Sequence, residues 1–350
     1  MYDVNNTTEN SFDNIDTNEV NVTIFVVIYI LIGFCGLFGN ALVIYVILIS
    51  PKMRTLTNMY LLNLAFSDLI FLSHIAMVTT TIIIEYWVFG EIMCKIFFTT
   101  QAITTFSSVL TLTSLSVDRY IAVCKPDVAY KYRQPLKAVF VIISIWIFSL
   151  LLSMPIILYS RRIPHPYMKG KDSCMVNWQD VKEVPIYIIY IFILGFAIPL
   201  CFISTFYTCV IVHMKSAGPA NRQRSKEQHR YHRKITYLVL AIILSYVICW
   251  LPYWIFQIVL VVVFKYKTVA EIMVIQQICT VLMFANSMVN PFLYAFINRD
   301  FRHRFKEVFQ SQCVLKERSG FISTKDNDNK MELDLLPRHD SNQIEAEQNK

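Results

Sequence analysis

Residues 24–49 read IFVVIYILIGFCGLFGNALVIYVILI, a run without a charged side chain. A bilayer core of about 30 Å takes about 20 helical residues, so this run is long enough to span one as a helix. Gly33, Gly36, Gly39 and Asn40 punctuate it, which lipid tolerates when such residues face other helices. Six more stretches of the same kind follow, at 56–84, 92–124, 137–159, 184–213, 234–264 and 269–297. Together they predict an all-α membrane protein: a seven-transmembrane helix bundle. The composition agrees. The chain is 55% AVILMFWYC and 16% charged, against about 25% charged in soluble domains. The net charge of +7 comes largely from the loops. In a membrane protein that reports orientation, and it argues against nucleic acid as a partner.

The loops set the orientation. Lys52 and Arg54 follow the first span, and Lys125, Lys131 and Arg133 the third. Lys215, Arg222, Arg224, Lys226, Arg230 and Arg233 follow the fifth, against one acid, Glu227. These three loops are basic and therefore cytoplasmic. The N-tail, 1–23, carries Asp3, Glu9, Asp13, Asp16 and Glu19 without Lys or Arg. It is expected outside, with the first span serving as its own insertion signal, since the tail lacks the basic start and apolar core of a signal peptide. Asn5, Asn6 and Asn21 each begin a glycosylation sequon in that tail. Cys94 and Cys174 both fall at the outer face, where an oxidising compartment permits pairing.

Past the last span, Phe301, Phe305 and Phe309 recur every fourth residue among basic side chains. That predicts an amphipathic helix on the inner membrane surface over 298–312. Cys313 follows as a palmitoylation candidate. Residues 313–350 are polar and of mixed charge, as in a disordered cytoplasmic tail.

Polar residues inside the spans are costly and mark functional candidates. Asp68 lies in the second span, Asn40 in the first, and Asn286, Ser287 and Asn290 in the seventh. A carboxylate facing several amide and hydroxyl oxygens either pins helix packing or holds a small cation such as sodium. Three short motifs then appear in order and at matching depth. They are Asp118-Arg119-Tyr120 at the inner end of span three, Cys249-Trp250-Leu251-Pro252 in span six, and Asn290-Pro291-Phe292-Leu293-Tyr294 ending span seven. On these motifs residues 24–312 resemble the rhodopsin-like G-protein-coupled receptors. Asn40, Asp68, Trp146, Pro199 and the Cys94–Cys174 pair fall at that family's landmark positions.

The resemblance implies a receptor without enzymatic activity. Pro252 and Pro291 remove backbone bonds and kink their helices. Trp250 would lie under the ligand, and Arg119, held by Asp118, would be freed when span six swings out. Where relatives place an acid at the base of span six this chain has His232, so Thr236 is the expected partner of Arg119 instead. Asp68, Ser108, Asn286, Ser287 and Asn290 would form a sodium pocket, and Val109, Pro199 and Tyr246 a packing switch. Tyr246 stands where Phe is commoner. No other cofactor is expected.

The stretches 86–95 (YWVFGEIMCK), 216–236 (SAGPANRQRSKEQHRYHRKIT), 249–257 (CWLPYWIFQ) and 285–296 (ANSMVNPFLYAF) are similar to somatostatin receptors. They are more similar still to the invertebrate allatostatin C receptors, with opioid receptors next. Somatostatin and opioid receptors carry an Asp seven residues after the outer cysteine, which meets a ligand cation. Gln101 stands there in this chain. An amide cannot form the ion pair, which points to a cyclic peptide without a required lysine. Gln101, Thr105, Trp254, Gln257, Gln276 and Phe284 are the expected ligand contacts. The implied partners are an extracellular peptide, a Gi/o heterotrimer, and arrestin and receptor kinases. Two other classes are weighed against this reading. A transporter would show internal repeats, and none is visible. A scavenging receptor would not need an intact Asp118-Arg119-Tyr120.

Overall fold

The computed structural model describes residues 5–132, 134–180, 182–216, 226–263, 269–297, 301–304 and 307. The chain divides into two units, 1–302 and 303–350, and all the spans belong to the first. Its helices are α1 (Asn5–Ile49), α2 (Leu56–Ser73), α3 (Ile75–Ile84), α4 (Gly90–Cys124), α5 (Pro126–Tyr132), α6 (Pro135–Leu152), α7 (Met154–Tyr159), α8 (Glu183–Phe192), α9 (Ile198–Ser216), α10 (Lys226–Val263) and α11 (Val269–Ile297). A hairpin of β1 (Ser160–Pro164) and β2 (Asp172–Val176) lies between α7 and α8. Among the described residues six helical spans are long and apolar enough to cross a membrane, and Leu136–Leu152 is a shorter apolar helix. With that one counted, the seven expected spans are present. Large apolar side chains such as Phe34, Ile92, Phe148, Ile186, Ile248 and Phe296 stay exposed. In water such a surface would be an aggregation liability, whereas here it is what faces lipid.

The spans are less regular than their sequence suggests, and each break has a local cause. The second span divides into α2 and α3 at His74, whose N–H reaches Phe71 O at 3.2 Å while Ser73 Oγ bonds Ile70 O at 2.7 Å. These i−3 bonds tighten the turn. The fourth span, expected unbroken over 137–159, divides at Ser153, two residues before Pro155. Pro155 can neither donate nor allow the preceding residue to sit easily in the helix. The fifth span widens into a π-turn at Ile193–Ala197, just ahead of Pro199. Pro252 and Pro291 lie inside α10 and α11.

Two expectations about the ends need restating. The N-tail 1–23 was expected to precede the first helix, yet α1 begins at Asn5. A formed apolar helix can extend into a polar segment without a new nucleation cost. Of the amphipathic helix expected over 298–312, only a helical turn at 301–304 and Glu307 are described. In the second unit Glu307 meets Arg304 at 2.6 Å and His303 at 3.1 Å. Cys313 lies outside the described residues.

α4 is the central span. It packs against α2, α6, α9 and α10, while α1 closes the ring between α2 and α11. Glycine makes that closure possible. A Cβ at Gly36 would stand 2.7 Å from Leu72 Cδ1 and 3.3 Å from the backbone Cα of Met288, and one at Gly39 would stand 3.0 Å from the Pro291 ring. Helices in lipid associate through such close approaches. Gly36→Val is therefore expected to force α1 off α11 and to cost about 1–3 kcal/mol. A lower thermal midpoint of the detergent-solubilised chain would show this, and an unchanged midpoint would refute it.

Candidate functional site

Three polar clusters lie one below another through the bundle. The central one is built on Asp68. Its carboxylate accepts from Ser287 Oγ at 2.7 Å and from Asn290 Nδ2 at 2.8 Å. Asn40 Nδ2 donates to Ser287 O and to Gly36 O, both at 2.9 Å. All four side chains are buried. Asn286, also buried, is part of the same stretch of α11, and its Oδ1 and that of Asn290 have no hydrogen-bond partner among the described residues. A carboxylate with spare amide oxygens nearby is the hard-oxygen chemistry that suits a small cation. Ser108 was expected here but is only half-buried, and it forms no bond to Asp68 among the described residues. Its neighbour Ser107 is fully buried and meets Ser67 Oγ at 3.1 Å. One residue turns the helix by about 100°, so the two hydroxyls meet different neighbours.

At one end of the bundle, the arginine end, Arg119 is buried and donates to both Asp118 and Thr57. Thr57 Oγ1 in turn donates to Asp118 Oδ2 at 3.1 Å. The carboxylate thus neutralises the guanidinium, and a hydroxyl from α2 holds both. Tyr120 points elsewhere, with its ring 5.4 Å from that of Phe206 on α9. Thr236 is buried in α10, and among the described residues Arg119 bonds Asp118 and Thr57 instead of the expected Thr236. Thr57 was missed in the sequence. It precedes Asp68 by eleven residues, three helical turns, and so shares its inward face; that periodicity was the available signal.

A tie between these clusters was also missed. Asn63 Nδ2 donates to Thr111 Oγ1 at 2.8 Å, and Asn63 Oδ1 accepts from Trp146 Nε1 at 2.8 Å. One amide thereby joins α2, α4 and α6.

Toward the opposite end, Trp250 packs over Tyr246 (ring centroids 5.7 Å apart) and against Phe71 at 6.2 Å. Tyr294, below it, is fully buried. Above, Gln101 and Thr105 of α4 are half-buried, and Thr105 Oγ1 bonds Gln101 O at 2.8 Å. Gln257 Nε2 reaches Gln276 Oε1 at 3.4 Å across α10 and α11. Two of the expected ligand contacts are buried against neighbouring rings. Trp254 is buried between Phe192, Phe196 and Tyr253, and Phe284 between Tyr29 and Phe71. Their large apolar faces find aromatic partners, which leaves both side chains almost fully covered.

The hairpin covers this end. Cys94 of α4 is disulfide-bonded to Cys174 of β2, with Cα atoms 5.6 Å apart. Arg162 pairs with Asp172 at 3.2 Å, the Arg162 N–H meets Glu91 at 2.7 Å, and the Trp87 N–H meets Asp172 O at 2.8 Å. The sequons Asn5, Asn6 and Asn21 lie within α1.

The Asn63 tie should be measurable. Asn63→Ala strands the Trp146 indole N–H in the membrane core, at a cost of about 1–3 kcal/mol. Adding Trp146→Phe removes the stranded donor. The combined loss in thermal midpoint should therefore fall short of the sum of the two single losses; strict additivity would show the bond is immaterial.

Comparison with known proteins gives one consistent result. The sequence model of the "7 transmembrane receptor (rhodopsin family)" matches residues 39–294. The somatostatin receptor type 4 of Rattus norvegicus is 35% identical over 295 residues, covering 84% of this chain and 74% of the relative. The type 2 receptor of Mus musculus is 35% identical over 311 residues, covering 88% and 82%. The type 5 receptor of Bos taurus is 35% identical over 292 residues, covering 83% and 76%.

Proposed function

The chain belongs to the rhodopsin family of seven-transmembrane receptors, and from that premise we propose that it is a neuropeptide receptor for a cyclic, allatostatin C-like peptide that signals through a Gi/o heterotrimer. As a member of that family it is a multi-pass membrane receptor and not an enzyme. On this proposal the disulfide end faces outward with the N-tail, which presents Asn5, Asn6 and Asn21 for glycosylation. The arginine end faces the G protein, arrestin and receptor kinases, and Cys313 is a palmitoylation site.

The observation that carries the ligand class is Gln101. Its side-chain amide makes no hydrogen bond among the described residues and is half-buried beside Thr105. With Gln257 and Gln276 it offers amide donors and acceptors above an aromatic floor. A lysine would find no carboxylate at this position. A disulfide-cyclised peptide fits better, since its neutral backbone groups can meet the amides and its apolar side chains can meet the aromatic rings.

Signalling follows from differential affinity for two arrangements of the bundle. The buried Asp118–Arg119–Thr57 cluster is one of them. Breaking a buried pair strands a charge, so Arg119 leaves only when another acceptor takes it. A G protein entering the arginine end supplies that acceptor once α10 moves. The Pro252 kink gives α10 the lever for this movement.

Cyclic peptides with and without lysine, applied to cells expressing the chain, test this reading through forskolin-stimulated cAMP. A lysine-free cyclic peptide is expected to lower cAMP. Gln101→Asp should shift preference toward lysine-bearing peptides by about tenfold. Arg119→Ala should abolish the response and spare peptide binding. A lysine requirement in the unaltered chain, or signalling that survives Arg119→Ala, contradicts the proposal.

Sodium is proposed as an allosteric ion held by Asp68 with Asn286, Ser287 and Asn290. An ion bound to one arrangement stabilises it by mass action. Sodium chloride should therefore raise the thermal midpoint of the ligand-free receptor relative to N-methylglucamine chloride. Asp68→Asn should remove the difference; equal sodium sensitivity in that variant places the ion elsewhere.

A further inference from the structure

The fifth span carries an irregularity that the sixth fills. Across the π-turn Ile193–Ala197, the Ile198 N–H bonds Ile193 O, five residues back. The next residue is Pro199, which has no N–H. The α-helical bond from position 199 to Gly195 O therefore cannot form. The Tyr246 hydroxyl of α10 donates to that carbonyl instead, at 3.1 Å, in a buried setting. Tyr246 is 2% exposed, with its ring 6.0 Å from Phe196 and 5.7 Å from Trp250. Gly195 is narrowly accommodated too: a Cβ there would stand 3.3 Å from Phe106 Cε1 on α4.

We propose that Tyr246 is a positioning residue whose hydroxyl latches α10 to the fifth span by occupying the Gly195 carbonyl that Pro199 leaves without its helical donor. Three observations support the assignment. A carbonyl and a hydroxyl buried away from water each need a partner, and these two serve one another. The donor lies six residues before Pro252, on the arginine side of that proline, so the bond restrains the half of α10 that moves in the proposed signalling. It is present together with the buried Asp118–Arg119–Thr57 cluster, which places it in the closed arrangement. A phenylalanine at position 246 would keep the ring packing and lose the latch. The effect on signalling rests on the receptor reading above, but the restraint on α10 does not.

The test is a cycle of four chains: unaltered, Tyr246→Phe, Pro199→Ala, and both together. Each carries spin labels at Lys125→Cys and Arg233→Cys, at the arginine ends of α4 and α10, with Cys35, Cys124, Cys201, Cys209 and Cys313 replaced by serine. Pro199→Ala offers Gly195 the missing N–H and so makes the tyrosine hydroxyl redundant. Electron–electron distances in the ligand-free protein report the position of α10 directly. Tyr246→Phe is expected to raise the long-distance population relative to the short by about fivefold, as loss of one buried hydrogen bond implies. In the Pro199→Ala background the same substitution should change it by less than about twofold. An unchanged distribution in Tyr246→Phe overturns the latch. So does an equal shift in both backgrounds, which would trace the effect to packing. A shift that follows the cycle in a chain that activates no G protein sustains the latch and rejects the receptor reading.

Discussion

The bundle is organised by the Asp68 carboxylate receiving a hydroxyl from Ser287 and an amide from Asn290. Hydrocarbon offers no competing solvent, so a polar side chain on one span must be met by another. That requirement fixes the rotation of α2 against α11, and Asn40, reaching Ser287 O, fixes α1 against both. Short hydrogen bonds between helices also demand close backbones. Gly36 and Gly39, where a Cβ would crowd Leu72, Met288 and Pro291, are the sequence's answer to that demand. Asn63 repeats the arrangement on the other side of α2, drawing in α4 and α6 through Thr111 and Trp146. Apolar packing against lipid chains gives little preference between neighbours, so these few polar ties decide which spans touch and at what angle.

The two ends of the bundle are held by different physics. At the disulfide end a covalent link, a two-stranded hairpin and an edge-to-face aromatic contact between α8 and α10 hold the elements together. At the arginine end the principal tie is a buried ion pair with one hydroxyl. Desolvation offsets much of the attraction within such a pair, so the pair can be exchanged for another partner at modest net cost. A structure that must move at one end and recognise at the other would be divided in this way. Pro199 and Pro252 serve the division, since one leaves a carbonyl of the fifth span without its helical donor and the other removes a backbone bond within α10.

The spans were legible because a length and charge criterion decides them, and the Asp68 cluster because polar groups in lipid must meet one another. What was not legible depended on phase and on neighbours. Ser107 and Ser108 are adjacent hydroxyls, and only the rotation of α4 decides which one turns inward. Thr57 looked like one more hydroxyl in an apolar run until Asp118 and Arg119 arrived beside it from another span. Trp254 and Phe284 point toward the centre as their helical positions require, yet aromatic neighbours from α1, α2 and the fifth span cover them, and a single helix cannot reveal its neighbours' side chains. The break at His74 has no proline to announce it. The helix over residues 5–23 carries no apolar periodicity of its own and continues from the span that follows it, so its polar composition resembles that of a tail.

Gln101 shows how much one neutral residue constrains recognition on the receptor reading. A carboxylate in that half-buried place would have to be desolvated, and it would recover that cost only from a ligand cation. An amide carries no such penalty and asks for no particular charge, but once buried by a ligand its donor and acceptor must both be answered. Peptide backbones answer both. A polar site of this kind discriminates mainly by refusing ligands that leave its groups unpaired. On the proposed function, the chain gives up the strength of an ion pair and gains a site that a simple cation does not satisfy. Affinity on that proposal comes from aromatic contact near Trp250, whose ring lies 5.7 Å from that of Tyr246.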